Sequence, residues 1–315
     1  MIVITGDYGQ LGNRLIVFAN MIAAAREHGL RVADPAFHEY AEYFEATRRD
    51  LLCRYPLLRS WLPGGRRLRH AVHRGANGAQ RYARKLHNRT GRWPGVRVLD
   101  IGWHARCDLD GPEFLELARQ PGLLLAKGWL FRARQSFARH ADEIRRFFTP
   151  APSHRARVAA CLAALRRSAE VVVGVHVRHG DYRHFLGGRF FFEVNQYAAL
   201  LRRMRELLGG RQPAFLLCSN AAQPTDAFAG LNATPGPRHQ IEDLYALAAC
   251  DYLIGPPSTY TMWASFYGQT PLYVVTDPAV AFELSDFEVF RTLERTPREF
   301  LAAEKGLARE GTGVR

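Results

Sequence analysis

No long apolar run appears in the 315 residues. The most apolar stretches, over 170–177 and 253–255, are strand-sized, well short of the ~20 residues that cross a bilayer. The chain enters Ile2-Val3-Ile4 directly, with no basic segment ahead of a longer apolar one. That predicts no signal peptide and a cytoplasmic protein. Cysteine is scarce: Cys53, Cys107, Cys161, Cys218 and Cys250 are odd in number, scattered and never paired as C-x-x-C. This argues against a disulfide framework or a structural zinc site and predicts buried or incidental thiols in a reducing cytoplasm. Walker A, G-x-G-x-x-G and H-E-x-x-H motifs are missing. The one D-x-D, Asp108-Leu109-Asp110, leads into Gly-Pro and reads as a turn rather than a metal site.

Acid is nearly absent from one segment. Between Arg48 and Arg97 there are 14 Lys and Arg against the single acid Asp50, while the rest of the chain is neutral. The net charge of +13 therefore belongs to one region, and it speaks of a partner surface rather than of the fold. Inside it, Leu68, Val72, Ala76, Ala79, Ala83 and Leu86 recur on one helical face, with Arg and Lys on the remainder. A basic amphipathic helix over 64–90 is a candidate for peripheral contact with an anionic membrane, on the inner face if the protein is cytoplasmic. Basic patches also bind nucleic acid, but no recognition module accompanies this one.

What is present is α/β patterning, twice. A short strand over 2–5, a turn-rich loop, a helix with Leu15, Phe18, Ala19, Ile22 and Ala25 on one face, and a strand near 30–33 open the chain. Further strands are expected at 96–101 and 123–126, and a helix over 137–148. Thr149-Pro150-Ala151-Pro152-Ser153 is the linker candidate. Beyond it a helix precedes 171–177, a continuous β-branched strand of the kind buried in parallel sheets. Helices near 196–208, 241–249 and 259–267 then alternate with strands at 214–218, 252–255 and 272–275, and the tail after Phe287 is expected to be helical. The expected domains are 1–150, carrying the basic insertion 48–97, and 151–300, with 301–315 as a tail.

The chemistry gathers in a few stretches. His176-Val177-Arg178-His179-Gly180-Asp181-Tyr182 follows the 171–177 strand directly. Ligands in α/β sheets collect at the carboxyl ends of strands, and an Arg there can grip a phosphate with two donors. Asp181 can orient Arg178, and the plainer reading is a surface turn with a salt bridge. Asp243 can be a first-turn helix acid, Ser258 an ordinary helix cap and His176 a core histidine.

This stretch resembles the H-V-R-R-G-D-Y segment of the bacterial α-1,2-fucosyltransferases. It is more loosely similar to the H-x-R segments of the protein O-fucosyltransferases. Four further stretches match in order. They are Gly9-Gln10-Leu11-Gly12-Asn13-Arg14-Leu15, then Gly128-Trp129 with Phe137, Ile144-Arg145 and Phe148, then Phe215 to Ser219-Asn220. The last runs from Asp243-Leu244-Tyr245 through Cys250 and Ile254 to Ser258-Thr259-Tyr260-Thr261-Met262-Trp263. The resemblance spans residues 2 to about 275 and has no counterpart to 48–97. It implies a GT-B fold of two Rossmann-like domains facing a cleft. It also implies an inverting transfer of fucose or another sugar from a GDP-sugar to a glycan hydroxyl, with no cofactor and no obligatory metal. Arg178 would hold the diphosphate, with His176 and Asp181 beside it. Ser258 and Thr259 would meet phosphate at a helix N-terminus, Asp243 would pair with guanine, and Gly12 and Asn13 would set a loop over the sugar. The chain departs from the pattern in three places. His179 replaces the second Arg, Arg14 replaces Gln, and the Gln-Ser expected after Gly128-Trp129 is shifted, with Arg132 and Arg134 nearby. General-base candidates are Asp7, Glu193, His104 and Asp181. A sugar-binding protein without turnover is the competing reading.

Overall fold

The computed structural model describes residues 1–57, 65–90, 95–102, 105–224 and 226–304. His104 and the last part of the expected tail lie outside them. The chain divides into two compact units, Met1–Pro152 and Ser153–Arg315.

The first unit runs β1 (Ile2–Ile4), α1 (Leu11–His28), β2 (Val32–Ala33), β3 (Arg54–Tyr55), α2 (Arg66–Thr90), β4 (Val96–Asp100), β5 (Cys107–Asp108), α3 (Pro112–Arg119), β6 (Leu123–Lys127), β7 (Phe131–Arg132), α4 (Arg134–Arg139) and α5 (Ala141–Phe147). Its main sheet has the order β3-β2-β1-β6-β4, parallel except for β3 against β2. Strands β5 and β7 form a separate parallel pair. Helix α1 is buried from Leu11 almost continuously to Ala25, and ends at Gly29, whose left-handed backbone (φ 66°) suits glycine. Phe18 of α1 meets Phe37, Phe147 and Phe148 with ring centroids 5.2–5.6 Å apart, which fixes α5 against α1. Each tilted or edge-to-face pair of this kind contributes about 0.5–1.5 kcal/mol beyond its buried area.

The second unit runs α6 (Pro152–Arg166), β8 (Val171–Val177), α7 (Val194–Leu207), β9 (Pro213–Ser219), β10 (Ala233–Pro235), α8 (Gln240–Ala248), β11 (Tyr252–Gly255), α9 (Thr259–Gly268), β12 (Leu272–Val274) and α10 (Pro297–Glu304). Its sheet is parallel throughout, in the order β10-β9-β8-β11-β12. Every residue of the central strand β8 is buried. Full burial of a valine is worth about 1.5–3 kcal/mol, so the run Val171-Val172-Val173 anchors this half. The sheet order brings the carboxyl ends of β8, β9 and β11 side by side.

Helix α2 buries Arg69, His73 and Gln80 together with Ala83, whereas Leu68 is 47% exposed. The inward side is a polar seat, since Arg69 reaches the carbonyls of Thr47, Arg48 and Asp50. Two expectations need correction. The helix expected over 137–148 is two short helices, α4 and α5, meeting at His140, whose backbone (φ −106°, ψ 20°) is not helical. The tail after Phe287 does not become helical until Pro297.

Candidate functional site

Val177 ends β8, and the chain turns at once through Arg178-His179-Gly180-Asp181-Tyr182. Gly180 makes the turn possible: it has φ +48°, and a Cβ there would sit 2.6 Å from Asn220 Nδ2. Asn220 ties the turn to the end of β9, accepting from the His179 amide (2.9 Å) and lying 3.4 Å from Asp181 Oδ1. Arg178 is held in place, its side chain 13% exposed. Its Nη2 stands 2.9 Å and 3.0 Å from the two Asp181 oxygens, and its guanidinium lies 5.3 Å from the Tyr182 ring centre. Tyr182 in turn donates to the Pro257 carbonyl (2.6 Å), one residue before Ser258. The turn after β8 is thereby fastened to the loop that opens α9.

Ser258 caps α9, its Oγ accepting from the Tyr260 amide (3.2 Å), and half-buried Thr259 is the first helical residue. His176 is a core histidine. It is buried, its Nδ1 is 3.2 Å from Thr261 Oγ1, and its ring lies 5.0 Å from that of Tyr260. Burial first, and the Arg178 charge second, push its pKa down to about 3, so it is neutral. Asp243 sits in the first turn of α8, buried, with Oδ1 accepting from the Arg238 amide (2.9 Å). Burial pushes its carboxyl up to about 6, against the lowering effect of the amide donors. Half-buried Tyr260 feels the charges of both Asp243 and Arg178. Arg178, Asp181, Asp243, Ser258 and Thr259 thus share the carboxyl edge of one parallel sheet, the usual place for a ligand. His176 belongs beneath that edge.

His179 stands where the resemblance has a second Arg, and its ring is engaged by neighbours. Its Nε2 donates to the Phe192 carbonyl (2.8 Å), its Nδ1 faces the Gln223 amide nitrogen (3.1 Å), and its ring stacks on Phe191. It braces the turn from behind. Glu193, a candidate base, caps α7 with its side chain.

In the first unit, Gly12 and Asn13 are the second and third residues of α1, buried and half-buried. Gly9 has φ +64°, and a Cβ there would lie 2.2 Å from Asn13 Nδ2, so the β1–α1 loop folds directly onto Asn13. Arg14 secures the loop: it donates to the carbonyls of Gly9 and Ala36 and pairs with Glu39 (3.7 Å). The exposed Asp7 on the same loop lies 3.7 Å from His73 Nε2 of α2. The Asp108-Leu109-Asp110 turn is occupied: Asp110 accepts from the amides of Gln135 and Ser136 at the start of α4, and from the Ser136 hydroxyl.

His154, His239 and Glu242 bring metal-ligand atom types within 4.8 Å of one another. Arg157 fills that space, its Nε donating to Glu242 Oε1 and its Nη2 lying 3.0 Å from His154 Nδ1. His239 Nδ1 faces the Ile241 amide as the cap of α8. The cluster is an ion-pair network joining α6 to the start of α8. Residue patterning gave no sign of it, because its members are 88 positions apart in sequence at the widest hydrogen-bonded pair. Tyr182, Tyr260 and Asn220 were also missed as site-builders, although each lies inside a matched stretch.

No family model and no curated protein sequence matches the chain. Solved structures do. The Bradyrhizobium fucosyltransferase NodZ matches over 87% of this chain and 95% of its own, with 18% identity and a TM-score of 0.53. The fold is that of fucosyltransferase structures. An Arabidopsis thaliana FUT1 mutant in complex with GDP matches over 87% of this chain and 70% of its own, at 15% identity and a TM-score of 0.55. A NodZ α-1,6-fucosyltransferase crystal soaked with GDP-fucose matches over 91% and 96%, at 17% identity and 0.52.

Proposed function

We propose that this protein is an inverting glycosyltransferase that moves a sugar, with fucose as the leading candidate, from a GDP-sugar to a hydroxyl of a glycan acceptor. The observation that carries the reading is the fastening of Arg178, at the carboxyl end of β8, to the N-terminus of α9 through Tyr182 and Pro257. A guanidinium beside a helix N-terminus suits a diphosphate, which needs charge-assisted donors and backbone amides together. The fold is also the one in which NodZ crystals were soaked with GDP-fucose and FUT1 was solved with GDP.

In this reading the acceptor oxygen attacks the sugar's anomeric carbon as the bond to the β-phosphate oxygen breaks. The negative charge that develops on GDP is met by Arg178 and by the amides and hydroxyls of Ser258 and Thr259. Stabilising that charge is the largest electrostatic task of the step. Asp181 orients Arg178. Asp243 takes the guanine edge with whatever acceptor capacity the Arg238 amide leaves it. Gly12 and Asn13 carry the loop that positions the sugar, and no metal is required in this scheme. Two of the four base candidates already have structural duties, Asp181 on Arg178 and Glu193 on α7. Of the other two, His104 lies outside the described residues, and this reading assigns the acceptor's proton to the exposed Asp7, with His73 beside it. Asp7→Asn is expected to lower kcat while leaving GDP affinity unchanged.

Calorimetric titration with GDP and with UDP tests the core of the reading. GDP should bind more tightly than UDP, and Arg178→Ala should weaken it by about 2–4 kcal/mol, as for a lost charge-assisted contact. GDP binding that is absent, or indifferent to Arg178, would end this assignment. If GDP binds, turnover of GDP-fucose against other GDP-sugars decides the donor, and absence of any turnover leaves a sugar-binding protein.

A further inference from the structure

Helix α2 turns the polar side chains of Arg69, His73 and Gln80 inward, beside Ala83, and leaves Leu68, Ala79 and Tyr82 exposed next to a row of cations. At about 100° per residue, positions 69, 73, 80 and 83 share one side. That side is buried: Arg69 is 1% exposed, His73 4%, Gln80 3% and Ala83 2%. Arg69 is seated among the carbonyls of Thr47, Arg48 and Asp50, and His73 stacks on His38 with ring centroids 4.7 Å apart. With the polar face committed inward, Leu68, Ala79 and Tyr82 form an outward stripe, Leu68 47% and Tyr82 61% exposed. A second exposed row, Arg67, Arg74, Arg81 and Lys85, runs alongside, separated from the stripe by the small residues Ala71, Gly75 and Gly78. Helix α2 contains no Asp or Glu at all.

We propose that this outward face is a docking surface for an anionic lipid bilayer. Each feature fits that occupant. The apolar stripe enters the boundary between headgroups and acyl chains, the cation row meets lipid phosphates, and the small residues between them let the helix lie flat. The combination selects among partners. A nucleic acid would use the cation row and leave the Leu68–Ala79–Tyr82 stripe in water. A second copy of the chain would set one cation row against another. An anionic membrane satisfies both rows at once, because juxtamembrane Lys and Arg each add to binding at a negative lipid surface. The proposal does not depend on the donor site.

The test is co-sedimentation of the full-length protein with vesicles of phosphatidylcholine alone or with phosphatidylglycerol added. Binding is expected only to the anionic vesicles and should weaken by at least about tenfold in high salt. Leu68→Ser with Tyr82→Ser keeps every charge and should also lower partitioning by about tenfold. Both residues are exposed, so circular dichroism should be unchanged. Tyr82→Trp should give a blue-shifted emission with anionic vesicles, reporting burial of that ring. A protein that ignores anionic vesicles at low salt overturns the proposal. So does a Ser/Ser variant that binds like the parent, which would make the surface a plain polyanion site. A concentration-dependent dimer that dissolves in the Ser/Ser variant would assign the stripe to a second copy instead.

Discussion

Asp34 is buried at the end of β2, where its carboxylate accepts from the Phe37 amide (3.1 Å) within reach of the Arg14 charge. Burial outweighs both and raises its pKa to about 7. The folded state therefore holds this proton more tightly than the unfolded state does. Folding is favoured at low pH, and that advantage is lost as pH rises from the unfolded value near 3.8 toward about 7. The slope approaches about 1.4 kcal/mol per pH unit inside that window. Asp34→Asn retains an oxygen for the Phe37 amide and removes the titration. Urea unfolding from pH 5 to 8 should show a flatter pH dependence in the variant, and an identical slope would mean Asp34 is not held protonated. At the same scale, the candidate site was partly legible in sequence. Arg178, Asp181 and Ser258 stand where a strand end and a helix start predict them, because a continuous Val run and a Ser cap are local signals. The role of His179 was not legible. Its partners Phe192 and Gln223 arrive through tertiary folding, and neither is announced by spacing.

Among the elements, α2 carries the sharpest lesson. Its helical period was readable, and its ends fall close to the expected 64–90. Its orientation was not readable, because the inward partners of Arg69 are the carbonyls of Thr47, Arg48 and Asp50, which no pattern within α2 announces. Arg69 satisfies those carbonyls and pairs with Glu42 (3.4 Å). Arg69→Ala strips that seat and leaves a void, and is expected to destabilise the first unit by about 2–4 kcal/mol. Arg67→Ala, one row outward and exposed, should stay within about 0.5 kcal/mol. Equal midpoints for the two variants in urea would show that α2 is not anchored through its polar face. The split of 137–148 into α4 and α5 follows the same logic. His140 is drawn to Glu27 of α1 (2.7 Å) and the backbone breaks there, although the apolar period of the sequence runs through it.

For the whole molecule, the parallel order β10-β9-β8-β11-β12 makes the carboxyl edge of the second sheet a single continuous rim. Pieces remote in sequence meet on it: the turn after β8, the start of α8 and the start of α9. Ligand binding should therefore be read as one coordinated change across three segments rather than a local one. With saturating GDP, amide hydrogen exchange is expected to slow together around Arg178–Tyr182, Arg238–Asp243 and Ser258–Tyr260, because bound ligand suppresses the local openings that expose those amides. Protection confined to the first unit would put the nucleotide in the wrong half of the molecule. Protection at only one of the three segments would mean that the shared rim does not act as one site.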